Sequence, residues 1–133
     1  MKGRSAKQKG DNYERELAAY FSAHLGISAR RAPLSGGGVH APASGDLLGT
    51  PLISVEAKAV QALNIRAAMA QAERNAGADI PIVINRRNRE PTEHSLVTIR
   101  LCDFLQFYEA LLLCHDIPTG TTPTNHQQDT AHT

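Results

Sequence analysis

The chain has 133 residues, 41% of them hydrophobic, with 14 Lys and Arg against 13 Asp and Glu for a formal net charge of +1. That length accommodates one domain with a real core and excludes two of ordinary size, and no apolar run approaches the roughly 18 residues of a membrane span. The opening residues Met1-Lys2-Gly3-Arg4 lead into polar sequence and not into a signal-peptide apolar region, so a soluble, cytoplasmic protein with no membrane partner is expected.

The net charge hides an uneven distribution. Residues 1–31 carry seven cations against three acids, +4, and a second basic knot is Arg86-Arg87-Asn88-Arg89. Clustered cations on a nearly neutral chain suit a polyanionic partner. Residues 1–9 lack apolar periodicity and read as a flexible basic arm. From Asp11, Tyr13, Leu17, Tyr20, Phe21 and Leu25 recur at helical spacing until Gly26. Glu14 lies near that apolar stripe, where position alone favours a solvated flank over an inward-pointing functional group.

Residues 27–31 read as a short strand, followed by an irregular stretch containing Ser35-Gly36-Gly37-Gly38. Without a following Gly-Lys-Ser/Thr, that run is not a nucleotide-phosphate loop. Residues 46–48 and 52–58 form an expected antiparallel hairpin around Gly49-Thr50-Pro51. Residues 61–76 make an Ala-rich helix with Ile65, Ala68, Met69, Ala72 and Ala76 on one stripe, stopped by Gly77. Residues 80–85 form an apolar run to be buried on both faces, 95–100 a half-buried strand, and 103–114 an amphipathic helix. Cys102 and Cys114 near that helix are expected to be reduced and at least half buried. Residues 10–116 are thus the folded domain, and 117–133 a disordered polar tail.

A strand, a helix and a strand in succession predict a parallel pair with a right-handed crossover. With the hairpin, the fold class is α/β: a mixed central β-sheet flanked by helices.

The strand at 52–58 carries the chemistry. Its side chains alternate, so Ser54, Glu56 and Lys58 leave one face while Ile53, Val55 and Ala57 leave the other. An acid therefore stands beside a base, ten residues after a second acid, Asp46. Two carboxylates can hold a divalent cation, and a nearby lysine can orient and help deprotonate a water bound to it. These groups are a minimal kit for phosphodiester hydrolysis.

Lys9-Gly10-Asp11-Asn12-Tyr13-Glu14-Arg15-Glu16-Leu17, then Arg31, then Gly45-Asp46, then Val55-Glu56-Ala57-Lys58 resemble the successive motifs of the PD-(D/E)XK nuclease superfamily. Within it the chain most resembles the archaeal-type Holliday-junction resolvases and their phage relatives, over about residues 9 to 100. The resemblance implies a restriction-endonuclease-like core and a homodimer acting on branched DNA with Mg²⁺, for which Mn²⁺ would substitute. It implies that Asp46, Glu56 and the backbone carbonyl of Ala57 ligate the metal, that Glu14 reaches the site from the first helix, and that Lys58 positions the attacking water. Arg31 and Arg15 would contact phosphate, with Lys9, Arg30 and Ser35 as further DNA-binding candidates. Gln71, on the crossover helix where such nucleases often place a polar residue, is a possible site residue, although a solvated helix Gln is its ordinary reading.

Two features depart from the pattern. Gly45 replaces Pro before Asp46, at a position expected only to set backbone direction. A compact turn at 49–51 would also set Asp46 opposite about Ile53, so twist or a bulge must bring it to Glu56. The rival readings are an endonuclease of this fold cutting flaps, nicked or sequence-specific duplex, and a non-catalytic DNA-binding protein that keeps the fold for its basic surface.

Overall fold

Ser5 starts the first helix by a capping box, its hydroxyl accepting from the Gln8 N–H at 3.2 Å while the Gln8 side chain accepts from the Ser5 N–H. Helix α1 therefore spans Ala6–Leu25 and ends on left-handed Gly26 at φ 67°. It begins five residues ahead of the apolar pattern, because its first turn is solvated and held by the cap and the Lys7–Asp11 pair at 3.2 Å. Lys7 and Lys9 accordingly ride the helix and not an extended arm.

This computed structural model describes residues 5–33 and 45–120. The glycine run, Ser35 and most of the polar tail lie outside them. The remaining elements are β1 (Arg30–Arg31), β2 (Leu47–Leu48), β3 (Ile53–Lys58), α2 (Ile65–Ala76), β4 (Ile80–Asn85), a 3-10 turn (Thr92–His94), β5 (Leu96–Ile99) and α3 (Leu101–Cys114). Asn64 caps α2 through the Ala67 N–H at 3.1 Å. That cap starts the helix four residues later than the Ala-rich composition predicts and leaves Gln61 free for another partner.

The described strands form two sheets. A mixed sheet of order β3-β4-β5 pairs β3 with β4 in parallel and β4 with β5 antiparallel, while β1 and β2 form a small antiparallel ribbon. The α/β architecture is thus as expected, and β4 is central. Ile82 and Ile84 join Val55 and Ala57 against Tyr13, Leu17 and Ala18 of α1, whereas Val83 packs with Ala68, Met69 and Ala72 of α2. Two differences follow from the edges. Leu96 and Val97 of β5 are exposed, so this strand is less covered than its alternation predicts. On α1, Tyr20 and Leu25 are exposed, leaving an apolar face narrowed to Tyr13, Leu17, Ala18 and the partly buried Phe21.

The expected 46–48/52–58 hairpin does not form a ladder, since β2 pairs with β1. The turn falls instead at residues 50–53, where the Ile53 N–H meets the Thr50 carbonyl at 3.4 Å and Leu52 takes φ 73° behind Pro51. Pro followed by a left-handed residue is the pattern of a type II turn. Moving the turn later carries Asp46 along β3, so that its N–H donates to the Val55 carbonyl at 2.7 Å.

Helix α3 belongs to a separate compact unit that begins at Leu101. None of its residues is buried, and Cys102 and Cys114 are exposed, contrary to the expectation of buried thiols. No described helix is long and apolar enough to cross a membrane.

Candidate active site

The site grows out of the open edge of β3. The Lys58 carbonyl accepts from the Arg86 N–H at 3.0 Å on the β4 side. One residue back, Ala57 turns both its N–H and its carbonyl to the opposite, open edge, as strand geometry requires. There the N–H donates to Asp46 Oδ2 at 2.8 Å, which fixes the Asp46 carboxylate beside an outward-facing backbone oxygen.

Gly45 makes this approach possible. A Cβ on it would lie 2.6 Å from the Val55 carbonyl and 2.8 Å from the Ser54 hydroxyl, so the position is sterically closed to any side chain and does more than set direction. Gly45→Ala should lower the unfolding free energy by about 1–3 kcal/mol, measured by denaturant titration, and should slow any chemistry that depends on Asp46.

Glu56 points to the α2 face of the sheet while Glu14 rides α1 over the other face, and the two meet at the open edge. Glu14, Asp46, Glu56, Lys58 and Gln71 line one cleft of about 550 Å³. Lys58 Nζ donates to Gln71 Oε1 at 3.1 Å and lies 3.6 Å from Glu56 Oε2, so the half-buried Gln71 is a neighbour of the lysine. Glu56 is only 3% exposed, and its Oε1 has no hydrogen-bond partner. A buried carboxylate oxygen without a donor is costly unless a cation or proton satisfies it.

Burial governs the titration of all three acids. Desolvation pushes Asp46 up to about 6, with the Ala57 N–H pulling it down and Glu56 pushing it further up. Desolvation likewise raises Glu14, opposed by its bond to Arg31, and raises Glu56, opposed by Lys58 and Asn75. Burial thus raises three carboxyls that share one cleft, the kind of environment in which perturbed acids gather.

Arg31 joins the site by way of the acids. Its Nε donates to Glu14 at 2.8 Å and its Nη2 to Asp11 at 2.7 Å. Asp11 was not singled out from sequence, although Asp11 and Glu14 stand three apart on one helix face, the spacing that lets two acids share a guanidinium. Partial desolvation raises Asp11, but Lys7 and Arg31 outweigh it and leave the carboxyl below its usual range. Lys9 lines the cleft. Arg15 and Arg30 do not: both are exposed, Arg15 bonds Asn12 at 3.4 Å and Arg30 bonds the Ser28 carbonyl at 3.2 Å. Asn88 is a lining residue that sequence reasoning missed; its N–H donates to Gln61 Oε1 at 2.6 Å, a contact between loops 27 positions apart that no local pattern reveals.

Among the described residues no three His, Cys, Asp or Glu side chains stand close enough to form a ready cation site. The donor set nonetheless fits Mg²⁺, which accepts one or two carboxylates and keeps several waters: Asp46, the partnerless oxygen of Glu56 and the Ala57 carbonyl are all hard oxygens. The family whose model matches residues 5–111 is described as "Phage putative PDDEXK endonuclease". The chain belongs to this endonuclease family. Neither a curated protein nor a solved structure gave a significant match. DNA is the substrate class that such a family implies.

Proposed function

We propose that the protein is a Mg²⁺-dependent DNA endonuclease that cuts branched DNA, Holliday junctions first, in recombination or repair in the prokaryotic cytoplasm. The observation that carries this reading is the meeting of Glu14, Asp46, Glu56 and Lys58 in one cleft, with a buried carboxylate oxygen of Glu56 left without a partner. Asp46, Glu56 and the Ala57 carbonyl would hold the ion, with Glu14 adding a further oxygen from α1 and Mn²⁺ able to substitute. Bound there, Mg²⁺ would lower the pKa of a coordinated water and offset charge on the phosphate.

The chain's own groups supply the rest. Lys58 Nζ, held between Gln71 and Glu56, would orient the attacking water through an ammonium N–H. Arg31 directs the Glu14 carboxyl and opposes the effect of its burial, and would help to offset charge on a bound phosphate. One site cuts one strand, so paired cuts across a junction call for two chains, which is the reason for proposing a homodimer. A second reading is favoured by the match to a phage endonuclease family: the same chemistry directed at flaps, nicked duplex or a particular sequence.

Both readings are tested by incubating the protein with labelled four-way junction, flap, nicked duplex, duplex and single-stranded DNA, each with Mg²⁺ and with EDTA. Preferential Mg²⁺-dependent cutting of the junction supports the first, and preferential cutting of any other form replaces it with the second. Binding without cutting on every substrate would leave only a DNA-binding protein.

A further inference from the structure

Beside the acid-lined cleft lies a cavity of about 600 Å³ with the opposite charge. Four cations, Lys9, Arg86, Arg87 and Arg89, face it against one acid, Glu16. Glu16 is already committed, 2.7 Å from Arg86 Nη2. The Arg86 guanidinium also lies 4.6 Å from the centre of the Tyr13 ring and bonds Thr92 at 3.2 Å. Arg86 thus anchors the segment after β4 to α1. The cations beyond it are less constrained. Arg87 meets Glu90 only at 3.7 Å and is mostly exposed, a rim contact of little strength. Lys9 and Arg89 have no acidic partner among the described residues.

Hydrogen bonds fix the backbone of the turn that carries Arg87 and Arg89. The Glu90 N–H bonds the Arg87 carbonyl at 3.3 Å and Glu90 Oε1 accepts from the Arg87 N–H at 2.8 Å, closing a tight turn at residues 87–90. Arg89 takes φ 66° inside it, a left-handed conformation where Gly or Asn is the usual choice. Asn88 ties the turn to the segment between β3 and α2 through Gln61 at 2.6 Å. Lys9, Ala59 and Asn88 line both cavities, so a chain leaving the acid-lined cleft over this ridge enters the cationic one.

We propose that Lys9 and the turn at residues 87–90 form a second phosphate subsite, which holds a non-scissile phosphodiester of the same DNA whose scissile phosphate lies in the acid-lined cleft. The proposal rests on the endonuclease reading and deepens it, by giving the bound strand a direction across the surface. Arg87 and Arg89 act as positioning residues: they hold the backbone and carry no base readout.

The test measures DNA affinity against salt in EDTA, where no cutting occurs, for the full-length protein, for R87A/R89A, and for R66A/R74A, which removes the same charge from exposed positions of α2. Each phosphate neutralised contributes about −0.9 to the log–log slope on duplex DNA, so R87A/R89A should flatten it by about 1.8, and R66A/R74A by clearly less. Equal flattening by both pairs, or none by R87A/R89A with its circular-dichroism melt intact, overturns the subsite. An effect seen only on 5′-phosphorylated DNA also overturns it, since the ligand would then be a terminal phosphate. The endonuclease reading is judged apart, by Mg²⁺-dependent cutting with the unaltered protein: loss of that activity would not alter the slope comparison.

Discussion

Asp46→Asn should abolish DNA cleavage, lowering its rate by at least about 10²-fold, while leaving DNA binding unchanged or tighter. Asparagine keeps an acceptor for the Ala57 N–H, which Asp46 now engages at 2.8 Å, so the loop and β3 should retain their arrangement. It lacks the charge needed to hold a cation, and it removes one negative group from a cleft that must receive phosphate. Single-turnover cutting and fluorescence-anisotropy binding on the same labelled junction separate the two effects. Parallel loss of binding and cutting, in a variant with an unchanged melting curve, would assign Asp46 a structural role.

In EDTA the protein should lose stability as pH rises from about 4 to 7. Asp46 is pushed up to about 6 in the folded chain, and Glu14 and Glu56 are raised as well, whereas in the unfolded chain each returns to about 4. Over that window the folded protein binds more protons than the unfolded one, so unfolding becomes easier with each step upward in pH. For Asp46 alone the loss should be on the order of 2 kcal/mol after allowing for its partial solvation. Denaturant titrations across the window should show the decline, Asp46→Asn should show a shallower one, and Mg²⁺ at pH 7 should restore stability to the unaltered protein. A flat profile would mean that solvent already satisfies these carboxyls.

The parts of the molecule written in local patterns were legible in the sequence. Alternation placed Glu56 and Lys58 on one face of β3, the unbroken apolar run of β4 marked the central strand, and the strand-helix-strand order gave the parallel pair. Solvated helix ends were not legible from apolar spacing, which is why α1 starts earlier and α2 later than expected. The register of Asp46 depended on which residues formed the turn, and a Leu at positive φ is a choice that composition argues against. Arg31 could be named as a site residue, but its bridge to Asp11 and Glu14 joins parts of the chain that only the folded arrangement brings together. The exposure of Cys102 and Cys114 escaped for a related reason: an apolar helix does not disclose what, if anything, covers it.

The turn at residues 50–53 is a ruler for the chemistry. Surface connections usually absorb insertions and deletions at small cost, but one residue gained or lost between Asp46 and Val55 would slide the acid by about 3.3 Å along β3. That step exceeds the tolerance of a hydrogen bond and would reverse which edge or face Asp46 addresses. Related chains that keep this activity should therefore vary in the identity of residues here while holding the spacing between acid and strand constant.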